Sequence, residues 1–146
     1  MSQGAAAYEG LNGLTQSELI IRLGLAPRAD GTFAQQAETR LVLLLPLGEI
    51  LPWQKADSAL TFQFIAGAAL ALSWSPDGHD AQAAHLGETL PHHRAIQEID
   101  ADIWLTAESL GAWSLLALDG ATSTTRFTQA AADWYPTPLA KIQGEA

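Results

Sequence analysis

The sequence has no cysteine, which excludes disulfides, thiolate nucleophiles and cysteine-held zinc or iron–sulfur centres. Basic residues are also scarce. Seven Lys and Arg stand against sixteen Asp and Glu, for a formal net charge of −9. Phosphate recognition needs clustered Lys and Arg, and these are scattered, so nucleic acid is not an expected partner. The same argument disfavours anionic membrane surfaces. The longest apolar run, 41–45 and on through Pro46 to Leu47, is far shorter than the roughly 20 residues that cross a bilayer. Residues 1–10 show no basic stretch leading into an apolar one, so no secretory signal is expected. The Gly-x-Ser-x-Gly elbow, the P-loop and the dinucleotide fingerprint are all missing. The glycine-rich stretch 4–13 follows no strand and opens no such site.

What remains is a chain of 146 residues, 48% hydrophobic and 16% charged, which predicts one compact cytoplasmic domain with a substantial core. Residues 1–13 are rich in Ala and Gly and are expected to fray. A short helix follows. Thr15 suits the N-cap, Glu18 completes a capping box, Leu14 staples to Leu19, and Gly24 suits a left-handed stop. Beyond Pro27 turn signals recur at Asp30-Gly31, Leu47-Gly48, Pro76-Asp77-Gly78, Leu86-Gly87 and Asp119-Gly120. Short strands are predicted between them, at 39–45, 60–66, 70–74 and 113–118. This spacing points to a mainly β sandwich or barrel, with a hairpin at 73–78. In the tail, 130–146, Trp134 and Tyr135 are expected to dock, and Pro136 and Pro138 to stop regular structure.

Residues 52–67, Pro-Trp-Gln-Lys-Ala-Asp-Ser-Ala-Leu-Thr-Phe-Gln-Phe-Ile-Ala-Gly, resemble the central motif of the cupin_5 (DUF985) family of the RmlC-like cupin superfamily. There the motif runs Trp-His-Arg, a short acidic turn, Glu, Trp-His-Phe and a closing Ala-Gly. Further pieces resemble the same family in order: the helix from Ser17 to Leu25 with Pro27, Leu43 to Glu49, Leu70 to Gly78, and Ile99 to Leu116. Together they cover about residues 17–118. The resemblance implies a cupin double-stranded β-helix, a jelly-roll barrel with a short N-terminal helix, and a homodimer.

The same alignment shows a rewritten site. Gln54 stands at the family's first His, Leu60 at its Glu and Gln63 at its second His. Amide oxygens are weak ligands for transition metals and leucine offers none, so neither a metal nor another cofactor is expected there. The histidines His79, His85, His92 and His93 read as loop or surface residues. His92 and His93 are adjacent and on a strand would face opposite ways. The resemblance places the second-His face inside the barrel, so Thr61, Gln63 and Ile65 are expected inward and Leu60, Phe62 and Phe64 outward. Two roles stay open for Gln63, orienting a polar ligand or bonding a neighbouring backbone group or water. Trp53, Trp104 and Trp113 read as core or dimer interface, with Trp104 also able to stack on a ligand. Asp30 either faces the barrel mouth or serves an Asp-Gly turn, the second being the simpler. Lys55 and Asp57 are read as a solvated turn.

The expected function is therefore metal-free binding of a small polar, sugar-like metabolite in the barrel. The candidate contacts are Gln54, Thr61, Gln63, Trp104 and Asp30. Two rivals stand beside it. One is a non-catalytic structural or interaction protein with a filled barrel. The other is a sugar-phosphate or nucleotide-sugar isomerase or epimerase, which needs an acid and a base across the substrate.

Overall fold

The computed structural model describes residues 10–130 and 137–138. After a 3-10 turn at Leu11–Gly13 comes helix α1 (Gln16–Leu23), then strands β1 (Ala26–Pro27), β2 (Phe33–Gln36) and β3 (Arg40–Pro46). The barrel continues through β4 (Gln54–Ala56), β5 (Leu60–Gly67), β6 (Leu70–Ser75), β7 (Asp80–Leu86) and β8 (Ile96–Ile99). It closes with β9 (Trp104–Ser109), β10 (Trp113–Asp119), β11 (Phe127–Gln129) and β12 (Thr137–Pro138).

The strands form two six-stranded sheets, in the orders β1-β2-β3-β10-β5-β8 and β11-β4-β9-β6-β7-β12. From β3 to β10 the chain crosses repeatedly between the sheets, which is the winding of a jelly roll. It leaves β5 as a long inner strand next to the sheet edge, paired to β10 on one side and to the edge strand β8 on the other.

Helix α1 forms for the reasons legible in its sequence. Thr15 Oγ1 accepts from the Glu18 amide at 3.2 Å, and Glu18 accepts from the Thr15 amide at 2.9 Å. Gly24 ends the helix in the left-handed region, φ 64°. Leu14 and Leu19 meet in one apolar cluster with Leu11, Val42, Leu44, Trp113 and Leu115, on the outside of the first sheet. Thr15→Ala removes one half of the capping box and is expected to lower stability by about 1 kcal/mol. Urea denaturation measures the shift, and an unchanged midpoint would show that tertiary packing alone holds α1.

Two corrections concern the ends. Residues 10–13 do not fray. Leu11 is buried, and Asn12 Oδ1 accepts from the Gly67 amide at 2.7 Å. Pro138 does not stop regular structure but lies in β12, which pairs in parallel with Asp80 and Ala81 at the edge of β7. A proline is tolerated there because an edge strand donates on one side only. Residues 1–9, Trp134, Tyr135 and Pro136 lie outside the described residues.

Candidate functional site

The space between the sheets is a hydrophobic core. From the first sheet it receives Leu43, Leu45, Leu60, Phe62, Phe64, Ile99, Leu116 and Leu118. From the second come Ala56, Leu70, Leu72, Trp74, Ala84, Leu86, Leu105 and Ala107. Among the described residues, no buried side-chain nitrogen or oxygen lacks a partner, so this interior presents no orphaned polar group to a ligand.

This overturns the expected orientation of β5. Leu60, Phe62 and Phe64 point inward and are buried, while Thr61, Gln63 and Ile65 lie half-buried on the outer face. The physical reason is the size of the apolar set: two Phe and a Leu outweigh Thr, Gln and Ile in area removed from water. Gln63 instead accepts from Arg40 Nη2 at 3.3 Å, beside the two bonds Arg40 makes to Asp119, at 2.5 and 2.9 Å. Thr61 sits next to Asp119 in the β5–β10 register.

The other candidates are also dispersed. Gln54 alone points into the barrel. It is paired with Leu105, is 4% exposed, and donates to the Pro52 carbonyl at 3.2 Å. Trp104 lies half-buried on the outside of the second sheet, where the Lys55 amine stands 5.0 Å from its ring centre. Lys55 thus belongs to a strand rather than a solvated turn, and Asp57 accepts from the Arg126 amide at 2.9 Å. Asp30 Oδ1 accepts from the Thr32 amide and hydroxyl at 3.0 and 2.5 Å, which is the turn role. These five residues therefore line no common pocket. The three positions that the motif resemblance matched to metal ligands, Gln54, Leu60 and Gln63, bring an amide, an alkyl chain and an outward-facing amide. That donor set does not fit a metal at the barrel centre.

An open cleft of about 520 Å³ lies instead at the edge of the first sheet, lined by Trp74, Arg94, Ile96, Gln97, Glu98, Ile99, Asp100 and Ile103. Its lining is more polar than apolar. Gln97 pairs with Phe62 and Ile99 with Leu60, so both side chains share the core-facing side of β8. Arg94 Nη1 donates to Gln97 Oε1 at 2.5 Å, and Gln97 Nε2 donates to the Glu98 carbonyl at 3.0 Å. The glutamine amide is held at both ends. Sequence reasoning missed this cleft because its walls come from β6, β8 and the segments around them, and Ile-Gln-Glu-Ile carries no motif.

It also missed a meeting of three histidines. His85, His92 and His93 each offer a ring nitrogen, and these atoms all lie within 4.8 Å of one another. His85 Nδ1 and His92 Nε2 are 3.0 Å apart. Burial, then the neighbouring charges of His92 and His85, holds His93 below the usual histidine range. His92 and His93 lie in the crossover from β7 to β8 rather than on a strand, so strand alternation does not separate them. His79 remains exposed, as expected.

No family model and no curated protein matches the sequence. Solved structures do. Protein SO0799 from Shewanella oneidensis aligns with a TM-score of 0.71 at 19% identity, over 81% of this chain and 85% of that one. A hypothetical protein from Leishmania major gives 0.64 at 12% identity, over 80% and 81%. Salicylate 1,2-dioxygenase from Pseudoaminobacter salicylatoxidans, in a structure with gentisate adducts, gives 0.55 at 14% identity, over 81% of this chain and 34% of that one. Identities this low carry the fold and nothing of the activity. Among the described residues, no helix is long and apolar enough to cross a membrane. The winding of the two sheets and these neighbours agree on one architecture: this is a mainly β protein with the cupin jelly-roll fold.

Proposed function

We propose that this chain is a divergent cupin of the cupin_5 (DUF985) type that binds a small polar, sugar-like metabolite, with its site moved from the barrel centre to the cleft beside β8. The ordered motif resemblance across residues 17–118 supports the family reading. The observation that carries the binding reading is the lining of the cleft. The apolar side chains of Trp74, Ile99 and Ile103 line it together with the held amide of Gln97 and the carboxyl group of Asp100. That combination suits the apolar face and the hydroxyls of a sugar-like molecule. The barrel interior, packed with Leu, Phe and Ala, serves as the scaffold.

The test is thermal denaturation against a panel of monosaccharides, sugar acids and polyols. A ligand at a hundredfold its Kd adds about 2.7 kcal/mol to the native state, a shift of several degrees. The shift is expected to vanish in the double variant Gln97→Ala/Asp100→Ala and to survive in Gln54→Leu. A shift lost in Gln54→Leu and kept in the double variant returns the site to the barrel centre. No shift across the panel leaves the filled barrel as a structural module.

A further inference from the structure

We propose that His85, His92 and His93 form a binding site for one divalent transition-metal ion, such as zinc or nickel, on the outer side of the barrel. The site is separate from the β8 cleft and from the barrel centre, and does not depend on the binding function assigned to that cleft.

The placement follows from the backbone. Ala84 and Leu86 of β7 turn into the core, so His85 between them faces outward. The chain then reverses. The Arg94 amide donates to the His85 carbonyl at 2.9 Å, and the Gly87 amide donates to the Arg94 carbonyl at 3.0 Å. This pairing brings residues 92 and 93 back beside residue 85. The turn is tightened by the His93 amide donating to the Leu90 carbonyl at 3.0 Å. A Cβ at Gly87 would lie 2.7 Å from His93 Nδ1 and 3.0 Å from Ala69 Cβ, so a side chain there would displace the His93 ring.

The rings meet at the right scale. Their centres are 4.9, 5.2 and 6.2 Å apart, with the His93 ring set nearly edge-on to both others. A tetrahedral zinc ion with zinc–nitrogen bonds of about 2.0–2.1 Å separates its nitrogen ligands by about 3.3 Å. The His85–His92 nitrogen pair at 3.0 Å is already close to that edge, and the third nitrogen, within 4.8 Å of both, has to move closer to complete the set. All three side chains are half-buried, so they are partly ordered before any ion arrives. Three imidazoles select zinc, nickel, copper or cobalt over magnesium and calcium, which take oxygen ligands. Three protein ligands also leave a fourth position open to water or an incoming group, the arrangement of catalytic zinc sites.

His93 is expected to be the weakest ligand. Its Nδ1 accepts from the Thr89 and Leu90 amides, each at 3.3 Å. Coordination through this ring must give up or rearrange those contacts.

The experiment is titration of the tag-free, chelator-treated full chain with zinc chloride by calorimetry, and with cobalt chloride by visible absorption. One equivalent per chain and the intense visible bands of tetrahedral cobalt are expected. His85→Gln and His92→Gln each keep a polar side chain on the outer face. Each is expected to weaken binding by more than about tenfold, the loss typical even for a residue supporting a metal ligand. His93→Gln should weaken it less, and His79→Gln not at all. Absence of saturable binding to the wild-type chain overturns the proposal without any variant. So does binding that the His79 and His85 variants reduce equally, which would mean unspecific capture by scattered histidines.

Discussion

Replacing Phe62 by Ala is expected to lower the unfolding free energy by about 3–5 kcal/mol, whereas Gln63→Ala, one residue along, costs about 1 kcal/mol or less. Phe62 is fully buried between Gln97 and Leu118 in the sheet register and faces the apolar residues of the second sheet. Truncation removes the whole ring and leaves a cavity that flanking strands on both sides keep from collapsing. Gln63 is half-buried on the far face, and its side-chain oxygen accepts from Arg40 at 3.3 Å. Arg40 keeps Asp119 as its partner when the glutamine is lost. Urea denaturation of the two variants therefore reads the orientation of β5 directly. Equal losses, or a larger loss for Gln63, would mean that the polar face of this strand is the packed one.

That contrast also shows where the sequence was legible. The strand itself was plain, since Leu-Thr-Phe-Gln-Phe-Ile alternates at period two. Its facing was legible too, because the larger apolar side chains sit at Leu60, Phe62 and Phe64. The resemblance pointed the other way, by setting Gln63 where the cupin_5 motif has a histidine. Hydrophobic area decides which face is buried, and the resemblance of one position does not. Helix α1 was readable in detail because capping is local: Thr15, Glu18 and Gly24 lie within ten residues of one another. The β6–β7 hairpin was readable for the same reason. Asp77 accepts from the amides of His79 and Asp80, at 2.8 and 3.0 Å.

Neither candidate site was legible, and the causes differ. The β8 cleft joins Trp74 to residues 94–103, and only the jelly-roll winding sets β6 and β8 on either side of it. The histidine group is nearly local, spanning residues 85–93, yet its geometry depends on how the crossover returns to pair with β7. Alternation separates adjacent side chains only on a strand, and His92 and His93 lie between β7 and β8. In a turn, adjacent side chains are free to converge. The irregularity in the β5–β10 register between Leu115 and Leu116 is a third case. There the packing of β5 passes from Phe64 in the inner core to Ala66 in the outer cluster, a change that period-two reading does not anticipate.

Gly67→Ala is the other substitution with a large expected effect, about 3 kcal/mol or more. Two penalties act together. Gly67 has φ 90°, a region that costs an L-residue about 1–3 kcal/mol. A Cβ there would also lie 2.5 Å from two carbons of the Trp113 ring and 2.6 Å from the Trp113 carbonyl oxygen, and overpacking of this kind adds about 1–3 kcal/mol. The surroundings cannot easily give way. The Trp113 carbonyl accepts from the Ala68 amide at 2.8 Å, and its indole packs with Leu11, Leu19 and Leu115 under helix α1. Gly48→Ala is the internal control. Gly48 has a similar φ of 82°, but nothing lies within 4 Å of a Cβ placed on it. The difference between the two variants in urea denaturation isolates the contact with Trp113 from the backbone term. A gap of about 1 kcal/mol or more is expected. Equal losses would show that the indole swings aside at little cost, and hence that the outer cluster joining α1 to the first sheet is loosely packed.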